Sequence, residues 1–187
     1  KNFYYSMSTR PEKAKDYFAM IRSNTPSEEF IGMAKEKLIV INKTAKGKPS
    51  PDFSFESIDG KTYSLSDFKG NYVFIDVWAT WCAPCIQQIP AIKKLEETFK
   101  GKNISFVSIS VDQENAYTKW KDFVKKKELE GVQLYADNSF DSAFIEAYGI
   151  SSIPRFIIID PEGKIVNANA KKPSTQQCEA EIAALFE

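Results

Sequence analysis

Histidine is absent from this chain of 187 residues. That absence excludes Ser-His-Asp triads, Cys-His nucleophile pairs, histidine metal sites and histidine-ligated haem. Cysteine is scarce, with only Cys82, Cys85 and Cys178. Three thiols cannot make the disulfide framework of a small secreted domain, and without imidazole they cannot complete a zinc tetrahedron. No metal and no cofactor is therefore expected. Net charge is also lacking: 25 basic side chains balance 25 acidic ones. Nucleic-acid binding, which draws on clustered Lys and Arg, is excluded as a partner class. No run approaches 18 apolar residues, so no membrane-spanning helix is read from the chain. An initial Met is missing at Lys1, and an upstream segment, whether a signal peptide, a lipidation segment or simply more protein, is expected to have been removed.

What remains is ample material for one core, since 43% of residues are apolar and 13% aromatic. Charge divides the chain unevenly. Residues 1–50 carry 10 basic and 5 acidic side chains, and the remainder is acidic by the same margin. The change falls at Lys46-Gly-Lys-Pro-Ser-Pro51, which has the composition of a linker. The expected organisation is a helical segment over 1–48, the remnant of a larger N-terminal region, and a main domain over 49–187.

The helical segment reads as two helices, 11–23 and 26–46, each opened by a proline. Phe30, Met33, Ala34, Lys37 and Leu38 form the stripe of the second. The main domain opens with a hairpin, 53–56 and 62–65, turning at Asp59-Gly60. Tyr72–Trp78 is almost wholly apolar, as a strand buried on both faces requires. A helix over 83–100, kinked at Pro90, follows. Strands at 104–111, 132–135, 155–159 and 164–168 then alternate with helices at 114–127, 139–148 and 174–186. This alternation predicts an α/β fold with a parallel core, its last strand pair antiparallel.

The chemistry points to Trp81-Cys82-Ala83-Pro84-Cys85, where strand turns into helix. Pro84 suits a first helical turn. Cys82 falls at the helix N-terminus, where free N–H groups and the macrodipole stabilise a thiolate. Cys85, one turn on, is close enough to pair with it and less exposed. An attacking thiolate beside a resolving thiol is what thiol–disulfide exchange needs. The bare spacing also suits half a zinc site or a chance pair.

Asp76-Val-Trp-Ala-Thr-Trp-Cys-Ala-Pro-Cys85 resembles the thioredoxin active-site stretch, and Ser152-Ile-Pro154-Arg-Phe resembles the cis-proline loop. The hairpin and the extra helix and strand between 114 and 135 resemble the TlpA/ResA-like branch of bacterial thioredoxins. The resemblance covers about residues 50–187. It implies a thioredoxin fold: a central mixed sheet flanked by helices, with an N-terminal β-hairpin and a central helix–strand insertion. It also implies that Cys82 attacks, Cys85 resolves and Asp76 assists proton transfer. Trp81, Ala83, Pro84, Ile153 and a cis Pro154 would face the substrate. The implied activity is that of a thiol-disulfide oxidoreductase, acting as a reductase in the bacterial cell envelope. Client proteins with disulfides and a membrane-bound thiol-disulfide electron donor are its implied partners, and cytochrome maturation, oxidative repair and disulfide isomerisation are all open as the process served. Two departures stand out. No lysine lies near Asp76 on the next strand, and Gln88 replaces the glutamate usual three residues after the resolving cysteine. Asp76 is thus expected to be the single acid beside the thiols, with a raised pKa.

Two other classes fit parts of the chain. A redox-inert adaptor on this fold would not need Cys82 and Cys85. A peroxidase of the same superfamily would need Thr-x-x-Cys, whereas Thr80 is two residues before Cys82. Cys178 shares a helical stripe with Ile182, Leu185 and Phe186 and reads as core. Trp120 and Phe123 read as core on an amphipathic helix, and Lys125–Lys127 as a solvated helix end.

Overall fold

Helix α1 (Phe3–Thr9), which the sequence did not suggest, begins the part of the chain described by the computed structural model, residues 3–187. Its aromatic and hydroxyl residues are indifferent helix formers, and packing holds it. Met7 is fully buried with Ala14 and Ile21 of α2 (Ala14–Asn24) and Ala34 of α3 (Glu28–Lys43). Three helices therefore share a small core where two were expected. Ser27 caps α3 by accepting from the Phe30 amide at 3.2 Å, so the helix starts after Pro26. Met33 of the expected stripe is 50% exposed; Ala34 is fully buried, and Phe30 and Leu38 of the stripe pack against the same core.

The stretch expected to be a linker is tied down. Gly47 N–H donates to the Ile165 carbonyl, Ile165 N–H to Lys48 and Ser50 N–H to Gly163, at 2.7–2.9 Å. Glycine is suited to position 47, whose φ is +81°. Gly149 marks another contact with the helical segment. A Cβ there would lie 2.9 Å from Val40 of α3, so only glycine admits that approach.

Seven strands form one mixed sheet among the described residues: β1 (Ser54–Ser57), β2 (Thr62–Ser64), β3 (Tyr72–Trp78), β4 (Ile104–Ser110), β5 (Val132–Tyr135), β6 (Arg155–Ile159) and β7 (Ile165–Asn167). Their order is β2-β1-β5-β4-β3-β6-β7. The central β3, β4 and β5 are parallel, and the outer strands run antiparallel. The expected mixed sheet with its hairpin is present. Its central strands are covered on both faces. Ile75, Val77, Ile109 and Ile157 join a core with Trp120 of α6 (Tyr117–Lys126) and Phe144 of α7 (Ala143–Ala147). Phe74, Phe106 and Phe156 join a second with α5 (Ile89–Thr98) and with Cys178 and Ile182 of α8 (Gln176–Ala183).

The helix expected over 83–100 is two helices, α4 (Ala83–Ile86) and α5. Pro90 can neither donate to the preceding turn nor clear its carbonyl. The chain therefore breaks at 87–88 and restarts with Pro90 in a first turn, where the missing N–H costs nothing.

Candidate active site

β3 runs into the motif, and its register sets the site. Asp76 stands between Ser108 of β4 and Phe156 of β6. Two residues on, the chain leaves the sheet with the Trp78 carbonyl accepting from Val111 N–H. Thr80 is then gripped by Asp112: its N–H and hydroxyl donate to the two carboxylate oxygens at 2.9 and 2.8 Å. Ser110 adds a third bond to that carboxylate, at 2.7 Å. Asp112 is buried, and sequence reasoning missed it. An acid just past the end of the strand beside the motif-bearing strand was the available signal.

Cys82 and Cys85 form a disulfide, their Cα atoms 5.3 Å apart. Cys82 is the N-cap of α4, and its Sγ accepts from Cys85 N–H at 3.3 Å. The expected contrast in exposure is slight, at 4% for Cys82 and 2% for Cys85. The exposed side chains are those around the pair: Ala83, Pro84 and above all Trp81, at 57%. Trp81 rests against Phe140, ring centres 6.5 Å apart. The Ile153–Pro154 bond is cis. It leads into β6, whose Arg155 pairs with Val77 of β3, which places the proline loop beside the end of β3 from which the cysteines emerge.

Behind the disulfide lies a cavity of about 20 Å³, lined among others by Asp76, Trp78, Cys85, Glu96, Glu130 and Gln133. It has room for a single water molecule. Asp76 Oδ1, Trp78 Nε1 and Gln133 Oε1 find no hydrogen-bond partner among the described residues. Burial, and then the charge of Glu96, push the Asp76 pKa up to about 8. Glu96 itself is raised to about 7 by burial and by Glu130, with Lys93 opposing. The expectation of a single acid is therefore corrected: a second carboxyl, eleven residues beyond Cys85 on α5, faces the same cavity. Its helical spacing from Ile89 and Ile92 (i+7 and i+4) was the available signal. Gln88 is buried and structural, its Oε1 accepting from Ser174 N–H at 3.1 Å. Cys178 is fully buried in the second core, and burial pushes its thiol up to about 12.

Comparison with known proteins agrees with this geometry. The Redoxin family profile matches residues 45–185. Thiol-disulfide oxidoreductase ResA of Bacillus thuringiensis subsp. konkukian is 30% identical over 133 residues, 71% of this chain and 74% of that protein. ResA of Bacillus subtilis is 32% identical over 122 residues, 65% of each. Among solved structures, a Bacteroides vulgatus protein named as a thiol-disulfide oxidoreductase superposes with a TM-score of 0.68 at 37% identity. That match covers 76% of this chain and 97% of the other. The thiol:disulfide interchange protein DsbE of Chlorobium tepidum gives 0.66 at 26% identity, over 76% and 99%.

Proposed function

The chain belongs to the redoxin family and is a thiol-disulfide oxidoreductase, and on that premise we propose that it reduces protein disulfides in the bacterial cell envelope. In the reduced protein, the Cys82 thiolate attacks one sulfur of a client disulfide, and the other client sulfur leaves as a thiol. Cys85 then attacks the Cys82 sulfur of the mixed disulfide, closing the 82–85 bond and releasing the second client thiol. Two electrons pass to the client. A membrane-bound thiol-disulfide donor returns them.

The division of labour rests on one observation: Cys85, and not Cys82, shares the buried cavity with Asp76. Cys82 has instead the helix N-terminus and the Cys85 amide to favour its thiolate. Asp76 takes the proton from Cys85 as it attacks, and a carboxyl with a pKa of about 8 is matched to a thiol near neutral pH. Glu96 on the same cavity provides the next station toward the surface. Trp81, Ala83, Pro84, Ile153 and Pro154 form the face against which the client lies.

Direction is tested by the reduction potential of the 82–85 pair, measured by thiol labelling in redox buffers. A value near about −270 mV is expected for a reductant, and one near about −120 mV would make the protein an oxidant.

A further inference from the structure

A cleft of about 920 Å³ opens beside the redox site, lined by the N-terminal helices on one side and by the cis-proline loop on the other. It reaches the cysteines through Phe140, which lines it and touches the exposed Trp81 next to Cys82. A volume of this size accommodates a peptide segment. Pro154, Arg155 and Lys37 of α3 also line it.

The two cations are poorly compensated. Arg155 is partly buried, and its Nη1 donates to the Ala168 carbonyl at 3.2 Å. The Lys37 ammonium lies 3.9 Å from the ring centre of Tyr4. The ion pairs among the described residues, Lys94–Glu179 and Lys100–Glu97, involve neither. Glu12 and Glu146 line the same cleft, but neither forms an ion pair with Lys37 or Arg155. Burial lowers Lys37 first, and the like charge of Arg155 lowers it further; burial also lowers Arg155. Two like charges on the lining of one partly dehydrated cleft are unfavourable until an anion joins them. A carboxylate satisfies both, because it accepts the guanidinium fork and the ammonium together.

We propose that this cleft seats an acidic segment of the client polypeptide, whose carboxylate bridges Lys37 and Arg155 while its disulfide reaches Cys82. The proposal rests on the oxidoreductase reading and assigns that activity a substrate class. The N-terminal helices are then part of the substrate site.

Two disulfide-bearing peptides, identical except that three Glu in one are Gln in the other, provide the test. The readout is the ratio of their kcat/KM values for reduction. In the wild type the acidic peptide is favoured about tenfold, the worth of one charge-assisted hydrogen bond, and added salt shrinks the ratio. Lys37→Gln brings the ratio toward one, and Lys37→Glu inverts it. Arg155→Gln removes the same preference; because Arg155 adjoins the core, the Lys37 variants decide the matter if it does not fold. Exchange with both peptides at equal efficiency in wild type and variants overturns the substrate assignment alone. Exchange with neither peptide overturns the oxidoreductase reading and this assignment with it.

Discussion

Thr80 is held at both of its polar groups by one carboxylate, that of Asp112, across 32 positions of sequence. The pair fixes the loop between β3 and Cys82 to the end of β4, so the position of the attacking sulfur depends on a residue just past the end of a neighbouring strand. Asp112→Ala leaves the Thr80 amide, the Thr80 hydroxyl and the Ser110 hydroxyl without their acceptor. A destabilisation of roughly 2–4 kcal/mol is expected in urea unfolding. Slower attack by Cys82, read by stopped-flow exchange, should accompany it. Unchanged kinetics would confine Asp112 to stability.

Asp76 should work against stability and for turnover. Its folded pKa, about 8, lies above that of an unfolded aspartate. The folded state therefore holds the proton more tightly. Stability is greatest below about pH 4 as far as this group is concerned, and falls as pH rises toward 8, where the penalty is complete. Asp76→Asn should remove that slope and stabilise the oxidised protein at pH 8, by roughly 2–4 kcal/mol. The same variant should resolve mixed disulfides more slowly. If it loses stability at pH 8, the carboxylate has a partner that offsets its burial.

Glu96 sets part of the Asp76 titration. Its negative charge disfavours ionisation of Asp76, so Glu96→Gln should move the Asp76 midpoint downward. Carboxyl-carbon NMR of the oxidised protein would follow that midpoint directly. The acidic limb of the turnover profile, set by ionisation of Asp76 as the base, should move in the same direction. An unmoved Asp76 midpoint would show that the two carboxyls do not sense each other. Gly131→Ala should chiefly cost stability, because φ there is +66° and a Cβ would fall 2.7 Å from the Phe106 carbonyl, and it would also crowd Glu96 Oε1 at 2.8 Å.

The two cysteines should separate in trapping experiments. Cys85→Ser allows the first exchange and blocks the second, so client mixed disulfides should accumulate on non-reducing gels. Cys82→Ser should trap almost none. Equal trapping by both would reverse the roles of attacker and resolver.

Much of the molecule is written locally. The apolar run Tyr72–Trp78, the Cys-Ala-Pro-Cys turn and the hairpin at Asp59-Gly60 each state their own conformation within a few residues. Period and turn chemistry are short-range properties. The absence of histidine likewise narrowed the chemistry to the thiols before any coordinates. Other features are decided only when distant segments meet. Helix α1 has no strong propensity and exists through Met7 packing. The supposed linker becomes an edge because Ile165 and Gly163 supply its hydrogen bonds. Glu96 and Asp112 look like ordinary surface acids in the sequence, and their roles come from burial. Desolvation and hydrogen-bond partners are properties of a place in the fold, set by residues tens of positions away. The same holds for Lys37 and Arg155, which lie 118 residues apart. Only the docking of the N-terminal helices beside the proline loop brings both to the lining of one cleft.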